Sequence, residues 1–278
     1  MALVPFPSQN RNDDENLPEK SGGFSPFGDD EEPVGEGRMT FLEHLDELRK
    51  RITHSVGGLM IGFIIAFAFI GRVQEFIYGR LTKDIPGGKL IFTEPSEAFM
   101  LMIKMAALCG VLIASPYIML QVWFFIAPGL YAKEKRLALP FVLSSSALFI
   151  AGAAFSHYLV FPAAWTFFAS FSNDYIAFTP RIDPVFGLYV KLMLGIGLTF
   201  QLPVLMFVLA RLGIVTAGFL LRNFKYAVLL IFIFAAVITP DASPVTQVMV
   251  GGPMVVLYVV GIAVAWLFGK SKKPDPDV

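Results

Sequence analysis

Six long stretches of this chain carry no charged residue, and their lengths constrain the fold more than any other feature. They cover residues 52–71, 105–132, 137–173, 192–210, 226–240 and 242–269. The hydrocarbon core of a bilayer, ~30 Å thick, is crossed by about 20 helical residues. Backbone polar groups in lipid must be satisfied within the segment, so each stretch is expected to be a helix. The 37 uncharged residues of 137–173 are too many for one crossing, so the third helix is expected to end near Phe168. The run Thr239-Pro240-Asp241-Ala242-Ser243-Pro244 places two prolines and an aspartate in six residues and separates the last two helices. Six spans result, at about 52–77, 97–127, 137–168, 187–211, 224–240 and 245–268. The fifth has only 15 uncharged residues, which calls for a thinned bilayer, little tilt or a shielding partner.

Composition agrees with this and removes other classes. Hydrophobic residues make up 55% of the 278 and charged residues 16%, too few to cover a soluble surface. One cysteine, Cys109, excludes a disulfide scaffold. A formal net charge of zero argues against nucleic-acid binding. The zero is the balance of two unlike parts. Residues 1–38 hold nine acids against Arg11, Lys20 and Arg38, are poor in apolar side chains, and are expected to form a disordered tail. Residues 39–269 form the membrane domain, and 270–278 a short tail.

The distribution of Lys and Arg orients the spans. Arg38, Arg49, Lys50 and Arg51 precede the first span; Lys133, Lys135 and Arg136 follow the second. Arg211, Arg222 and Lys225 follow the fourth, and Lys270, Lys272 and Lys273 the last. The other side has Arg72, Arg80, Lys83, Lys89 and Arg181, most of them near Glu75, Asp84, Glu94 and Glu97. The positive-inside rule places both termini in the cytoplasm.

Three segments could carry chemistry. Thr40 and Glu43 have capping-box spacing, and Phe41, Leu45, Leu48 and Ile52 form one apolar stripe. An amphipathic helix is therefore expected on the cytoplasmic surface, running into the first span, with Glu47 and Arg51 as an i,i+4 pair. Residues 121–136 place aromatics at an interface, end a helix at Pro128-Gly129, and carry Glu134 among three bases. In the fourth span Pro203 frees a backbone carbonyl one turn back. Gln201 either bonds that carbonyl or faces a polar groove. Lys104 and Lys191 lie near the outer ends of their helices. His157, alone inside a span, is expected to hydrogen-bond a neighbouring helix. The chain lacks HExxH, GxSxG, Walker A and dinucleotide-binding motifs, so neither an enzyme nor a metal or cofactor site is expected.

Several of these segments resemble the TatC family. His44-Leu45-Asp46-Glu47-Leu48-Arg49 resembles the family's HLxELR opening. Thr93-Glu94-Pro95-Ser96-Glu97-Ala98-Phe99, followed by Lys104, resembles its entry into span two, and residues 125–136 its first cytoplasmic loop. Phe149, Gly152, Phe155 and Pro162, then Phe200 with Pro203, then Thr239-Pro240 with Gln247, complete the set. The resemblance implies an all-α, polytopic protein of the bacterial cytoplasmic membrane with a concave, glove-like arrangement of six helices. It implies a receptor for signal peptides with two adjacent arginines, which exports folded proteins with TatA and TatB using the proton-motive force. Self-association in a receptor complex and contact with membrane lipids follow.

By the same resemblance Glu47 and Glu134 hold the arginines, while Arg49, Phe125, Leu130 and Tyr131 shape the site. Gln201, Pro203, Lys104 and Asp241 are polar or partner contacts within the membrane part. Many relatives carry Glu at the position of Gln201, and often an aromatic at that of His157. A secondary transporter is the main competing reading. Against it, no internal repeat relates spans one to three to spans four to six, and no charge lies at mid-membrane. An intramembrane hydrolase would need a Ser/His or paired-Asp site at depth, and Ser144, Ser145 and Ser146 have no such companion.

Overall fold

The computed structural model describes residues 41–83, 89–126, 138–175, 178–239 and 244–268. The acidic head, Thr40, Leu130, Tyr131, Glu134, Asp241 and the C-terminal tail lie outside the described residues. What is described is almost wholly helical: α1 (Phe41–Ala68), α2 (Ile70–Leu81), α3 (Glu97–Ile126), α4 (Ala138–Phe155), α5 (Phe161–Ala169), α6 (Ile182–Thr199), α7 (Leu202–Arg211), α8 (Ala217–Arg222), α9 (Phe224–Ile238) and α10 (Pro244–Phe268). An isolated β-bridge joins Ile91 and Arg181. Five helical segments are long and apolar enough to cross a membrane: Leu42–Ala68, Glu97–Ile126, Leu139–Ala169, Ile182–Arg211 and Pro244–Phe268. Phe224–Ile238 is the shorter sixth; its 15 residues reach about 22 Å.

The amphipathic segment and the first span form one uninterrupted helix, α1. This matches the expectation that the amphipathic helix runs into the first span. Nothing between Leu48 and Val56 breaks a helix, and Thr53, His54 and Ser55 each bond the carbonyl four residues back. Helix α1 runs antiparallel to α3, with His44 near Phe125 and Gly62 near Gly110. The crossing depends on small residues. A Cβ on Gly110 would lie 2.8 Å from the Phe63 nitrogen, and one on Gly62 would lie 2.5 Å from the Gly110 oxygen. Gly58 and Gly62 are spaced as a GxxxG pair, which lets two backbones approach in lipid, where apolar burial no longer drives association.

Two spans are broken. In the third, a π-helical turn at Ser156–Val160 separates α4 from α5. Pro162 follows it, and the widened turn accommodates the hydrogen bond that proline cannot donate. In the fourth, α6 stops at Thr199 and α7 starts at Leu202 with Pro203 in its first turn. The Gln201 amide falls back to the Leu198 oxygen at 3.0 Å, a 3₁₀-type bond. The core is mainly aliphatic, with an aromatic group, Phe161, Trp165, Phe186 and Tyr189, packed among Met105, Leu192 and Ile196. Large apolar side chains such as Ile61, Ile64, Val237 and Trp266 face outward, as lipid contact requires.

The outer ends of α3 and α6 are tied together. Ile182 donates its backbone N–H to the Ile91 oxygen at 2.9 Å, and Ile91 donates to the Pro180 oxygen at 3.3 Å. Arg181 pairs with Glu97, and Lys104 pairs with Asp183 at 2.5 Å. The hydrogen bond to Glu97, with its negative charge, holds the Arg181 guanidinium above its usual pKa.

Candidate functional site

At the end that the Lys/Arg bias assigns to the cytoplasm, the start of α1 meets the end of α3. Glu47 lies on the α1 face toward α3 and is half-buried. Arg51, one turn on, donates its Nε to Glu47 Oε1 at 2.6 Å, and its Nη2 pairs with the same oxygen. Its Nη1 donates to Gln121 Oε1 at 3.2 Å, and the guanidinium carbon stands 4.8 Å from the Phe124 ring centre. His44 stacks on Phe125 with ring centres 4.4 Å apart. A carboxylate, an amide oxygen and two aromatic rings thus converge on one helix pair. This donor-acceptor set suits a planar guanidinium, which fills a fork of acceptors and lies on an aromatic face as an ammonium cannot. Arg49 is exposed, with no side-chain partner among the described residues. Its other neighbours in the expected set, Glu134, Leu130 and Tyr131, lie outside the described residues.

Beside this junction lies a cavity of about 580 Å³. Val122 and Ile126 of α3 form part of its wall, so it adjoins the same helix end as Gln121 and Phe125. The wall is apolar except for Ser145, Thr199 and Gln201. Gln201 donates its Nε2 to the Ser145 backbone oxygen on α4 at 2.9 Å. The amide therefore joins two helices rather than the carbonyl freed by Pro203 in its own helix, and it also lines the cavity. Pro203 is buried and Ser145 wholly so; the Ser145 hydroxyl has no hydrogen-bond partner among the described residues.

The remaining polar residues lie elsewhere. Lys104 is on the outer side, engaged by Asp183, far in sequence and position from Glu47. His157 sits in the π turn, buried, joined to Tyr189 Oη through its Nδ1 at 2.7 Å and stacked on Phe76 with ring centres 4.4 Å apart. Among the described residues no three His, Cys, Asp or Glu side chains converge as metal ligands would. Sequence reasoning passed over Gln121, Phe124 and His44 as site residues. The usable signal was a glutamine within a 28-residue uncharged run, since an amide there needs a partner.

Comparison with known proteins agrees with the architecture. The family model described as Sec-independent protein translocase protein (TatC) matches residues 43–253. A Sec-independent protein translocase protein TatC from Koribacter versatilis is 39% identical over 235 residues, covering 82% of this chain and 86% of the relative. Another from Desulforapulum autotrophicum is 40% identical over 243 residues, covering 87% and 90%. A crystal structure of a twin arginine translocase receptor, TatC, superposes with a TM-score of 0.72 at 35% identity, covering 80% of this chain and 97% of that one. With six apolar helices in the same arrangement and a family match across most of its length, this multi-pass membrane chain belongs to the TatC family of Sec-independent protein translocase components.

Proposed function

We propose that this chain is the receptor for twin-arginine signal peptides in a bacterial cytoplasmic membrane, and that it passes folded cargo to single-span TatA- and TatB-type subunits. The observation that carries the reading is the guanidinium-binding set at the α1–α3 junction: the Glu47 carboxylate beside the Gln121 amide oxygen and the Phe124 ring. One arginine of the signal peptide pairs with Glu47. The second pairs with Glu134, with Arg49, Phe125, Leu130 and Tyr131 around it. A carboxylate accepts two parallel N–H bonds from arginine, so a pair of carboxylates favours Arg-Arg over Lys-Lys. The apolar part of the signal peptide enters the adjoining cavity, passing Val122 and Ile126 toward Gln201 and Pro203.

The short α9 leaves a hydrophobic mismatch that a partner helix relieves, and Asp241 is a further polar contact for that partner. Lys104 offers a further partner contact on the outer side, where it is half-exposed beside Asp183. Energy comes from the proton-motive force, since each charge moved down 100 mV releases ~2.3 kcal/mol.

Export of a folded fluorescent reporter tests this. The chain is expressed with its TatA- and TatB-type partners in cells lacking their own receptor. A reporter with an Arg-Arg leader reaches the outer side, the Lys-Lys version stays inside, and Glu47→Gln reduces export of the first. Export of both leaders alike, or of neither, refutes the reading.

A further inference from the structure

We infer that Arg51 is a resident occupant of the arginine-binding site, which an incoming signal-peptide arginine must displace from Glu47. The inference rests on the twin-arginine reading and goes beyond it by naming a residue of the chain that competes with the signal peptide for Glu47 and tempers the Arg-Arg preference. Its basis is the geometry around one oxygen. Arg51 sends both Nε and Nη2 to Glu47 Oε1, so that oxygen is fully used, while Oε2 receives no hydrogen bond from any described residue. The same guanidinium engages Gln121 Oε1 through Nη1 and lies over the Phe124 ring. It thus fills each element of a guanidinium site. The pair is partly shielded, with side-chain exposures of 28% for Arg51 and 20% for Glu47, so exchange with an outside ligand remains possible.

The arrangement treats the two cations differently. A lysine ammonium needs one acceptor and can take Oε2, which no described residue bonds, while Arg51 stays in place. An incoming arginine makes its parallel pair of bonds only if both carboxylate oxygens are open, so Arg51 must first leave Oε1. The apparent affinity for Arg-Arg is then reduced by the fraction of molecules in which Arg51 is seated, whereas that for Lys-Lys is not. The empty receptor therefore holds its carboxylate satisfied, and the ligand that opens it is one that can replace every bond Arg51 gives up.

Binding of fluorescein-labelled signal peptides to the full chain in lipid nanodiscs tests this by anisotropy. The peptides are an Arg-Arg sequence and its Lys-Lys counterpart, measured against wild type, Arg51→Gln and Arg51→Lys. Arg51→Gln removes the occupant and should bind Arg-Arg roughly tenfold more tightly, the scale of one charged hydrogen-bonded contact at a half-buried site. Lys-Lys should change by no more than about twofold, because no described residue bonds Oε2. Arg51→Lys keeps the charge and an i,i+4 partner for Glu47 but gives up the second bond to Oε1 and the bond to Gln121, so its gain for Arg-Arg should fall between wild type and Arg51→Gln. An equal gain for the two peptides in Arg51→Gln would show that only charge was removed and overturns the inference. Weaker Arg-Arg binding in both variants also overturns it and makes Arg51 a group that holds Glu47 in position. Glu47→Gln in the same assay separates the underlying reading: if it leaves Arg-Arg binding unchanged, Glu47 is not a ligand, and the receptor assignment at this carboxylate fails before the question of Arg51 arises.

Discussion

The α1–α3 crossing brings Gln121 to Arg51, the partner of Glu47, and Gly110 sits where the two backbones approach closely. Replacing Gly110 with Ala puts a Cβ 2.8 Å from the Phe63 nitrogen, 2.9 Å from the Phe63 Cα and 3.1 Å from the Gly62 carbonyl carbon. All three atoms are backbone, so no side chain can swing aside. The helices must part by about 0.7 Å to bring the closest contact to the ~3.5 Å optimum. Overpacking of this kind costs on the order of 1–3 kcal/mol. For a chain of this size that is a fall of roughly 2 to 5 °C in Tm. Gly57, on the facing helix α1, supplies the control, since a Cβ there meets nothing within 4 Å. Gly57→Ala should leave Tm unchanged or raise it slightly, because Ala is a better helix former by about 1 kcal/mol. Thermal unfolding of the two purified variants in one detergent decides the matter. If Gly110→Ala is as stable as Gly57→Ala, the helices do not touch through these glycines, and the placement of Glu47 needs another cause.

Further outcomes follow from the polar pairs. Tyr189→Phe removes the hydroxyl that serves buried His157 and should cost about 1–3 kcal/mol, whereas Tyr189→Phe combined with His157→Phe should recover much of the loss because no polar atom is left unpaired. Thermal unfolding of the single and double variants checks this, and a double variant as unstable as the single would refute it. Asp183→Ala removes the partner of Lys104 on an exposed surface. It should cost less than about 1 kcal/mol, and the difference from wild type should shrink as salt is raised from low to molar concentration.

The sequence revealed the fold where charge alone marked it. Lipid tolerates apolar helices of set length, so uncharged runs bounded by Lys191 and Arg211, or by Lys225 and Asp241, had little else to become. The brevity of α9 was visible for the same reason. The π turn at Ser156–Val160 was not. Whether a helix kinks, breaks or widens before a proline such as Pro162 depends on what packs around it, here Phe76 and Tyr189 against His157. Ion pairing on the outer side was also hidden. Local order placed Arg181 with no acid nearer than Asp183, yet it pairs with Glu97, 84 residues away, because the bridge to Ile91 brings those segments together. At the site, the Glu47–Arg51 pair was legible from helical spacing alone. That Arg51 also reaches Gln121, 70 residues on, was not, because it depends on the register of α1 against α3 set by Gly58, Gly62 and Gly110.

The central claim is that a carboxylate at the α1–α3 junction recognises paired arginines, and photo-crosslinking in native membranes tests it most directly. A signal peptide with a photoreactive residue beside its Arg-Arg pair, and a Lys-Lys version, are irradiated with membranes holding wild type, Glu47→Gln or Glu134→Gln. The account predicts strong Arg-Arg crosslinks and weak Lys-Lys crosslinks to wild type, with the difference lost in either variant. Equal crosslinking of the two peptides to wild type, or an undiminished Arg-Arg preference in Glu47→Gln, would contradict it.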